Sequence, residues 1–138
     1  LGCDSDSEKN LTFLEKYDGS VWSHPNDDFA ERIGFYNSTS TFFVAKDVSG
    51  NSSWCETYRE GYDASNDWTL IIEENTSERL KIKVLYSGDD EDEDVMTFTV
   101  SGNNVLILSY KETYDNGATV YSESYTYTLL PDESNLHC

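Results

Sequence analysis

Apolar and polar residues alternate along most of this chain, which is the pattern of β-strands with one buried face. The clearest example is residues 80–86, where apolar side chains take every second position and Lys81 and Lys83 stand between them. Similar segments, bounded by turn-forming residues, predict nine short strands. The predicted strands are Val21–Ser23, Phe29–Tyr36, Thr41–Lys46, Trp54–Glu60, Trp68–Glu74, Leu80–Tyr86, Val95–Val100, Val105–Thr113 and Val120–Leu130.

The connections between these segments are short and predict how the strands pair. Asp115-Asn116-Gly117 contains the Asn-Gly pair that strongly favours a hairpin, and Gly61–Asp67 is predicted to be a turn. Because no helical segment is long enough to connect parallel strands, the sheet is predicted to be antiparallel. Consecutive hairpins favour an all-β fold, an up-and-down β-barrel of eight or nine strands with a short N-terminal helix, over a β-sandwich.

The segment Leu11–Trp22 precedes the first strand and predicts that helix. Phe13 and Tyr17 stand four residues apart and therefore share one helix face. Asn10 is a suitable N-cap, and Gly19 is a common helix end. So short a helix is stable only when it is packed, so we expect it to pack on the sheet.

Length and charge limit the classes of function. A chain of 138 residues fits one domain, placed at residues 11–138, and the polar, acidic residues 1–10 predict a flexible tether. The net charge of -18 argues against nucleic-acid binding, which depends on Lys and Arg. It also disfavours direct contact with an anionic membrane, so we expect membrane contact only through a lipid anchor. We expect a monomer without a cofactor.

The three cysteines suggest one disulfide and one cysteine with another role. A bridge between Cys55 and Cys138 would tie the last residue to the body of the fold, and it implies an oxidising compartment. The alternative is two reduced cysteines in a cytosolic protein. Zinc is not favoured, because the chain has no pair of closely spaced cysteines.

The first residues predict a cellular location. Leu1-Gly2-Cys3 resembles the end of a bacterial lipoprotein signal, and the acidic run at residues 4–8 resembles the export signal of surface lipoproteins. This resemblance implies that Cys3 is lipidated, that an upstream segment has been removed, and that the protein sits on the outer membrane of a bacterial cell envelope. Secretion is the alternative, since four N-glycosylation sequons would matter in a eukaryotic secretory protein. These sequons begin at Asn10, Asn37, Asn51 and Asn75.

Together, the N-terminal helix, the segment Gly19-Ser20-Val21-Trp22, the antiparallel strands and the terminal cysteine resemble the lipocalin-like lipoproteins of Bacteroidetes. The lipocalin signature is Gly-x-Trp, and this chain has one residue more. The resemblance implies that the helix and Trp22 close one end of a barrel. It also implies that the open end admits a small apolar or amphipathic molecule.

Aromatic residues predicted to share one face are the candidate lining of that interior. The alternative is an ordinary aromatic core. Glu123 has the parity of this face and would need a partner there, for which Arg32 and Arg59 are the candidates. The candidate interior residues are Trp22, Trp54, Tyr58, Arg59, Tyr110, Tyr121, Glu123, Tyr125 and Tyr127.

The acidic loop 89–94 is a weak candidate for Ca²⁺ through Asp90, Asp92 and Asp94, although it lacks the spacing of an EF-hand and favours a solvated turn. No catalytic motif is present. The sequence therefore predicts a non-enzymatic surface lipoprotein that binds, if anything, a small apolar or amphipathic molecule. The alternative is an interaction module with a filled barrel that presents acidic loops to a protein or glycan.

Overall fold

A computed structural model describes residues 11–24, 29–38, 40–48, 54–88, 92–102, 104–114 and 117–138. Within these ranges the chain forms one short helix, α1 (Phe13–Lys16), and ten strands. The strands are β1 (Ser20–Ser23), β2 (Arg32–Phe35), β3 (Phe43–Lys46), β4 (Cys55–Tyr58), β5 (Gly61–Asp63), β6 (Trp68–Asn75), β7 (Arg79–Tyr86), β8 (Glu93–Ser101), β9 (Val105–Tyr114) and β10 (Thr119–Ser134). The predictions for the tether, Cys3, Asn10, Asp90 and the Asp115-Asn116 turn lie outside the described residues.

All ten strands form one antiparallel sheet in the order β4-β3-β2-β1-β10-β9-β8-β7-β6-β5. Strands that follow one another in the chain are neighbours, and the first strand pairs with the last. Among these ten strands, β4 and β5 are consecutive in the chain but do not pair, because they form the two opposite edges of the sheet. The predicted all-β, antiparallel fold is confirmed, in the form of a half-barrel.

Side chains from distant strands meet inside the half-barrel. Phe98 on β8 lies 5.2 Å from Phe43 on β3 and 5.1 Å from Phe35 on β2, measured between ring centroids. Near the two edges, Tyr58 stacks on Trp68 at 5.7 Å. The sheet therefore bends around a shared core in which aromatic rings from distant strands pack together.

All nine predicted strands are present, with ends that differ from the prediction by up to four residues, and one further strand was not predicted. Gly61–Asp63 was predicted to be part of a turn but forms β5, because it pairs with the edge of β6 even though Gly and Asp are poor strand formers. The last strand continues beyond Leu130, through Pro131, to Ser134. Its pairing with β1 shifts register between Ser20 and Trp22, within the segment where the sequence has one residue more than Gly-x-Trp.

Helix α1 begins two residues later than a cap at Asn10 would place it. Thr12 is the N-cap and forms a capping box with Glu15. The ring of Tyr17 lies between Phe13 and Trp22, at 4.7 and 5.9 Å, and Trp22 is fully buried. Tyr17, the C-cap of the helix, thus packs against Trp22 near one end of the half-barrel.

The last four residues, Asn135–Cys138, cross the outside of the sheet and are called here the C-terminal strap. The hydroxyl of Tyr36 donates to the carbonyl of Leu136, and Lys46 donates to the next carbonyl at 3.2 Å. The strap ends in the predicted disulfide with Cys55, which is confirmed. It therefore connects β10 to edge strand β4 by crossing β2 and β3.

Gly34 explains how the strap can lie so close to the sheet. A Cβ atom placed on Gly34 would stand 2.8 Å from the Cβ atom of Leu136, closer than side chains allow. Glycine at this position leaves the room that the strap occupies.

Candidate functional site

The candidate site lies at the end of the half-barrel opposite α1. The helix contacts the β6–β7 turn, where the backbone amide of Leu14 donates to Asn75 at 3.1 Å. Along β7 the inner face is apolar from Leu80 to Val84 and then ends in Tyr86. On β9 the same face carries Leu108, then Tyr110 and then Glu112. The inner surface therefore changes from apolar to polar at the far end.

At this end the strands surround an open cavity of about 540 Å³, called here the end cleft. It combines tyrosine rings, carboxylates and small polar groups. Its lining residues are Asn66, Asp67, Tyr86, Ser87, Asp92, Asp94, Tyr110, Glu112, Thr113 and Tyr114.

Asp94 stands at the base of the end cleft and is only 7% exposed. Its Oδ2 atom accepts hydrogen bonds from the hydroxyls of Tyr86 and Tyr110, the latter at 2.8 Å. Burial raises the pKa of Asp94 above its ordinary value, and these two hydrogen bonds oppose that shift only in part. The pKa of each tyrosine hydroxyl is also raised, first by burial and then by the nearby carboxylate.

Glu112 is the direct cross-strand partner of Asp94 in the β8–β9 ladder. Burial and then the charge of Asp94 raise the pKa of Glu112, while a hydrogen bond from Tyr110 acts in the opposite direction. Like charges directly opposite one another destabilise a sheet. The end cleft thus holds two carboxylates at directly paired positions of adjacent strands, where their charges repel.

The walls of the end cleft are held by packing and by a tight turn. The Tyr86 ring lies 6.1 Å from Trp68, and the Tyr110 ring lies 5.8 Å from Phe29. On the opposite rim, the β5–β6 turn carries Asp67, whose carbonyl accepts the backbone amide of Ser87 at 3.0 Å. Packing against Trp68 and Phe29 therefore holds the rings of Tyr86 and Tyr110 whose hydroxyls donate to Asp94.

Acidification is expected to stabilise the protein through Asp94. A carboxyl whose pKa is raised by folding binds its proton more tightly in the folded state. Its stabilising contribution is therefore complete below the ordinary value of 3.8 and is lost as the pH rises through the raised value. We expect the melting temperature to rise as the pH falls from neutral toward 3.8, and to rise less in Asp94→Asn.

The matched control for this comparison is Glu78→Gln, which removes one exposed carboxylate from the turn at the opposite end. It relieves general charge repulsion equally and should keep the pH dependence of the wild type. The assignment to Asp94 would be wrong if Asp94→Asn and Glu78→Gln had the same dependence.

The structure divides the predicted interior residues into separate groups. Trp22, Tyr58 and Tyr127 are buried in the core, and Tyr125 is half-buried. Tyr110 is the one member of the predicted set that lines the end cleft. The predicted set therefore does not form one site.

Four predicted interior positions are corrected, because their side chains are exposed. Trp54 is 38% and Tyr121 44% exposed, and Arg59 and Glu123 are also on the surface. The reason for Tyr121 and Glu123 is that β10 pairs with β1 only from Thr128 onward, so that its first half extends beyond the core.

The predicted partner of Glu123 is corrected as well. Glu123 accepts a hydrogen bond from the hydroxyl of Tyr125, and hydrogen bonds from Tyr121 and Tyr125 lower its pKa. The Nε atom of Arg32 instead lies 4.0 Å from the Oε2 atom of Glu133. Tyrosine hydroxyls, rather than an arginine, thus satisfy this carboxylate.

The sequence did not single out Tyr86, Glu112 or Tyr114 as site residues. The predicted turn Ser101-Gly102-Asn103-Asn104 misses the observed register by one residue. Counting equal steps back and forward from it brings Asp94 opposite Lys111, whereas the observed pair of Ser101 with Val105 brings Asp94 opposite Glu112.

Of the candidate calcium ligands, Asp92 and Asp94 line the end cleft, and Asp94 belongs to β8 rather than to a solvated turn. Within the described ranges, no three His, Cys, Asp or Glu side chains are grouped as metal ligands.

Within the same ranges, no helix has the length and apolar character needed to cross a membrane. Comparisons of the chain with protein-family models, with curated proteins and with solved structures found no match.

Proposed function

We propose that this protein is a non-enzymatic binding protein that holds a small amphipathic molecule in the end cleft. The observation that carries the proposal is the cleft itself. Its volume of about 540 Å³ falls within the range of small-molecule sites, and aromatic walls with a few convergent polar groups are typical of such sites.

The filled core restricts where the ligand can lie. Phe35, Phe43 and Phe98 occupy the middle of the half-barrel and are fully buried. A long apolar chain therefore has no room along the axis, and the ligand binds across the open end. Because carboxylates and tyrosine hydroxyls line that end, the ligand carries polar groups as well as an apolar part.

We further propose that the protein acts at the surface of a bacterial cell, anchored through Cys3. The Cys55–Cys138 disulfide supports an oxidising compartment. The net charge of -18 argues against binding of the protein's own surface to an anionic membrane, so the proposal assigns membrane contact to the lipid.

The second candidate function is an interaction module that presents acidic loops to a protein or glycan. The filled aromatic core favours it, because such a barrel can be a rigid support without a ligand.

The two functions are distinguished by blocking the end cleft. Ser87→Trp places a large side chain on an exposed lining residue, and Ser101→Trp places the same side chain on an exposed residue at the opposite end. Ligand-observed NMR with small aromatic alcohols, amines and acids should detect binding to the wild type. We expect Ser87→Trp to abolish that binding and Ser101→Trp to preserve it.

Binding that survives Ser87→Trp, or no binding of any probe to the wild type, would contradict the proposed function. Both variants should retain the melting temperature of the wild type to within a few degrees, so that loss of binding is not loss of the fold.

A further inference from the structure

The end cleft is a cavity whose walls select the charge of what it binds. Four of its ten lining residues are Asp or Glu, and none of the ten is Lys, Arg or His. Any anionic group that entered would meet this negative field without a counter-charge, whereas a cation would be attracted.

The charge at the base of the end cleft is fixed in position. Asp94 is only 7% exposed, and its side chain is held by hydroxyls from β7 and β9. It therefore cannot turn outward to reduce its repulsion with Glu112. A cation located between the two carboxylates would relieve that repulsion and would form charge-assisted hydrogen bonds to both.

The aromatic walls favour an organic cation. Tyr86, Tyr110 and Tyr114 supply rings beside the carboxylates, and aromatic faces attract ammonium groups and pack against apolar ones. A bare metal ion would gain little from these rings. The hydroxyls of Tyr86 and Tyr110 also donate to Asp94 instead of facing the cavity as ligands.

From this arrangement we infer that the ligand of the end cleft is a protonated amine with an apolar or aromatic body. The ammonium group lies between Asp94 and Glu112, and the body lies against the tyrosine rings. This inference rests on the proposed function, because it assigns a chemical class to a molecule bound in the same cavity.

Three probes that share a phenylethyl body and carry a cationic, a neutral or an anionic group test the inference. They are 2-phenylethylammonium, the neutral 2-phenylethanol and the anion 3-phenylpropionate, titrated against the complete protein by NMR or calorimetry at low salt. A single charge-assisted hydrogen bond is sufficient for about a tenfold difference in Kd. We expect the ammonium probe to bind at least about tenfold more tightly than the alcohol, and the anion to bind most weakly.

Variants locate the preference within the end cleft. Asp94→Asn and Glu112→Gln should each reduce the advantage of the ammonium probe over the alcohol. Glu78→Gln removes the same charge at the far end of the molecule and should keep that advantage, which separates the site from the general attraction of a protein of charge -18.

The outcomes distinguish the inference from the function on which it rests. If the alcohol or the anion bound as tightly as the ammonium probe, and Ser87→Trp abolished that binding, the inference would be overturned while the proposed function stood. An ammonium preference that Glu78→Gln reduced as much as Glu112→Gln would also overturn it. If none of the three probes bound, both the inference and the proposed function would be contradicted.

Discussion

Truncation of Phe98 to alanine should lower the free energy of unfolding by about 3–5 kcal/mol, the range for removing a buried aromatic ring. The ring is fully buried, and it contacts Phe35 and Phe43 from the opposite side of the half-barrel. Its removal therefore leaves a cavity where β8 meets the neighbouring strands β2 and β3, from which β8 is distant in the sheet. Urea denaturation monitored by tyrosine and tryptophan fluorescence would measure the loss.

Two further variants make this result interpretable. Phe98→Leu keeps most of the volume and should lose less stability than alanine, which gives a measurement even if the alanine variant does not fold. Val48→Ala shortens an apolar side chain that is 50% exposed and should change stability by no more than about 0.5 kcal/mol. A loss below about 1.5 kcal/mol for Phe98→Ala would contradict the description of a shared core.

Replacement of both Cys55 and Cys138 by serine should cost about 2–5 kcal/mol. The two cysteines are 83 residues apart, so the bridge removes a large part of the freedom of the unfolded chain. The chain-entropy model gives about 4–5 kcal/mol as an upper value for a loop of this length. Thermal unfolding with and without reductant would measure the effect, and the double variant should be insensitive to reductant.

Cys3→Ser is the matched control, because it removes a cysteine that is outside this pair. It should keep both the stability of the wild type and its sensitivity to reductant. Equal stability of the double serine variant and the wild type would show that the bridge contributes nothing to folding.

The alternation of residue types was sufficient to predict the class of fold. On β7, for example, Leu80, Ile82 and Val84 were predicted to face inward, and all three are buried. This succeeded because a strand places successive side chains on opposite faces, a local property that needs no knowledge of its partners. The disulfide was predicted for a different reason: with Cys3 assigned another role, Cys55 and Cys138 were the two remaining cysteines.

The prediction of buried faces from alternation was wrong where β10 extends beyond its neighbour β1. Tyr121 and Tyr127 are on the same face of β10, yet only Tyr127 is buried. The reason is that β1 pairs with β10 next to Tyr127 but does not reach Tyr121. Strand β5 was missed because its stability comes from pairing with β6 and not from its own residues. The end cleft needed the register of β8 against β9, which brings Asp94 and Glu112 together from distant positions in the chain.

The C-terminal strap also determines how the molecule would respond to mechanical force. The disulfide makes a covalent ring that contains β4 to β10. A pull applied between the N-terminal segment and Cys138 passes directly to Cys55, so only the chain before the ring can be drawn out. From residue 11 to Cys55 this extension is at most about 150 Å, and the strands that form most of the end cleft carry no load along the chain.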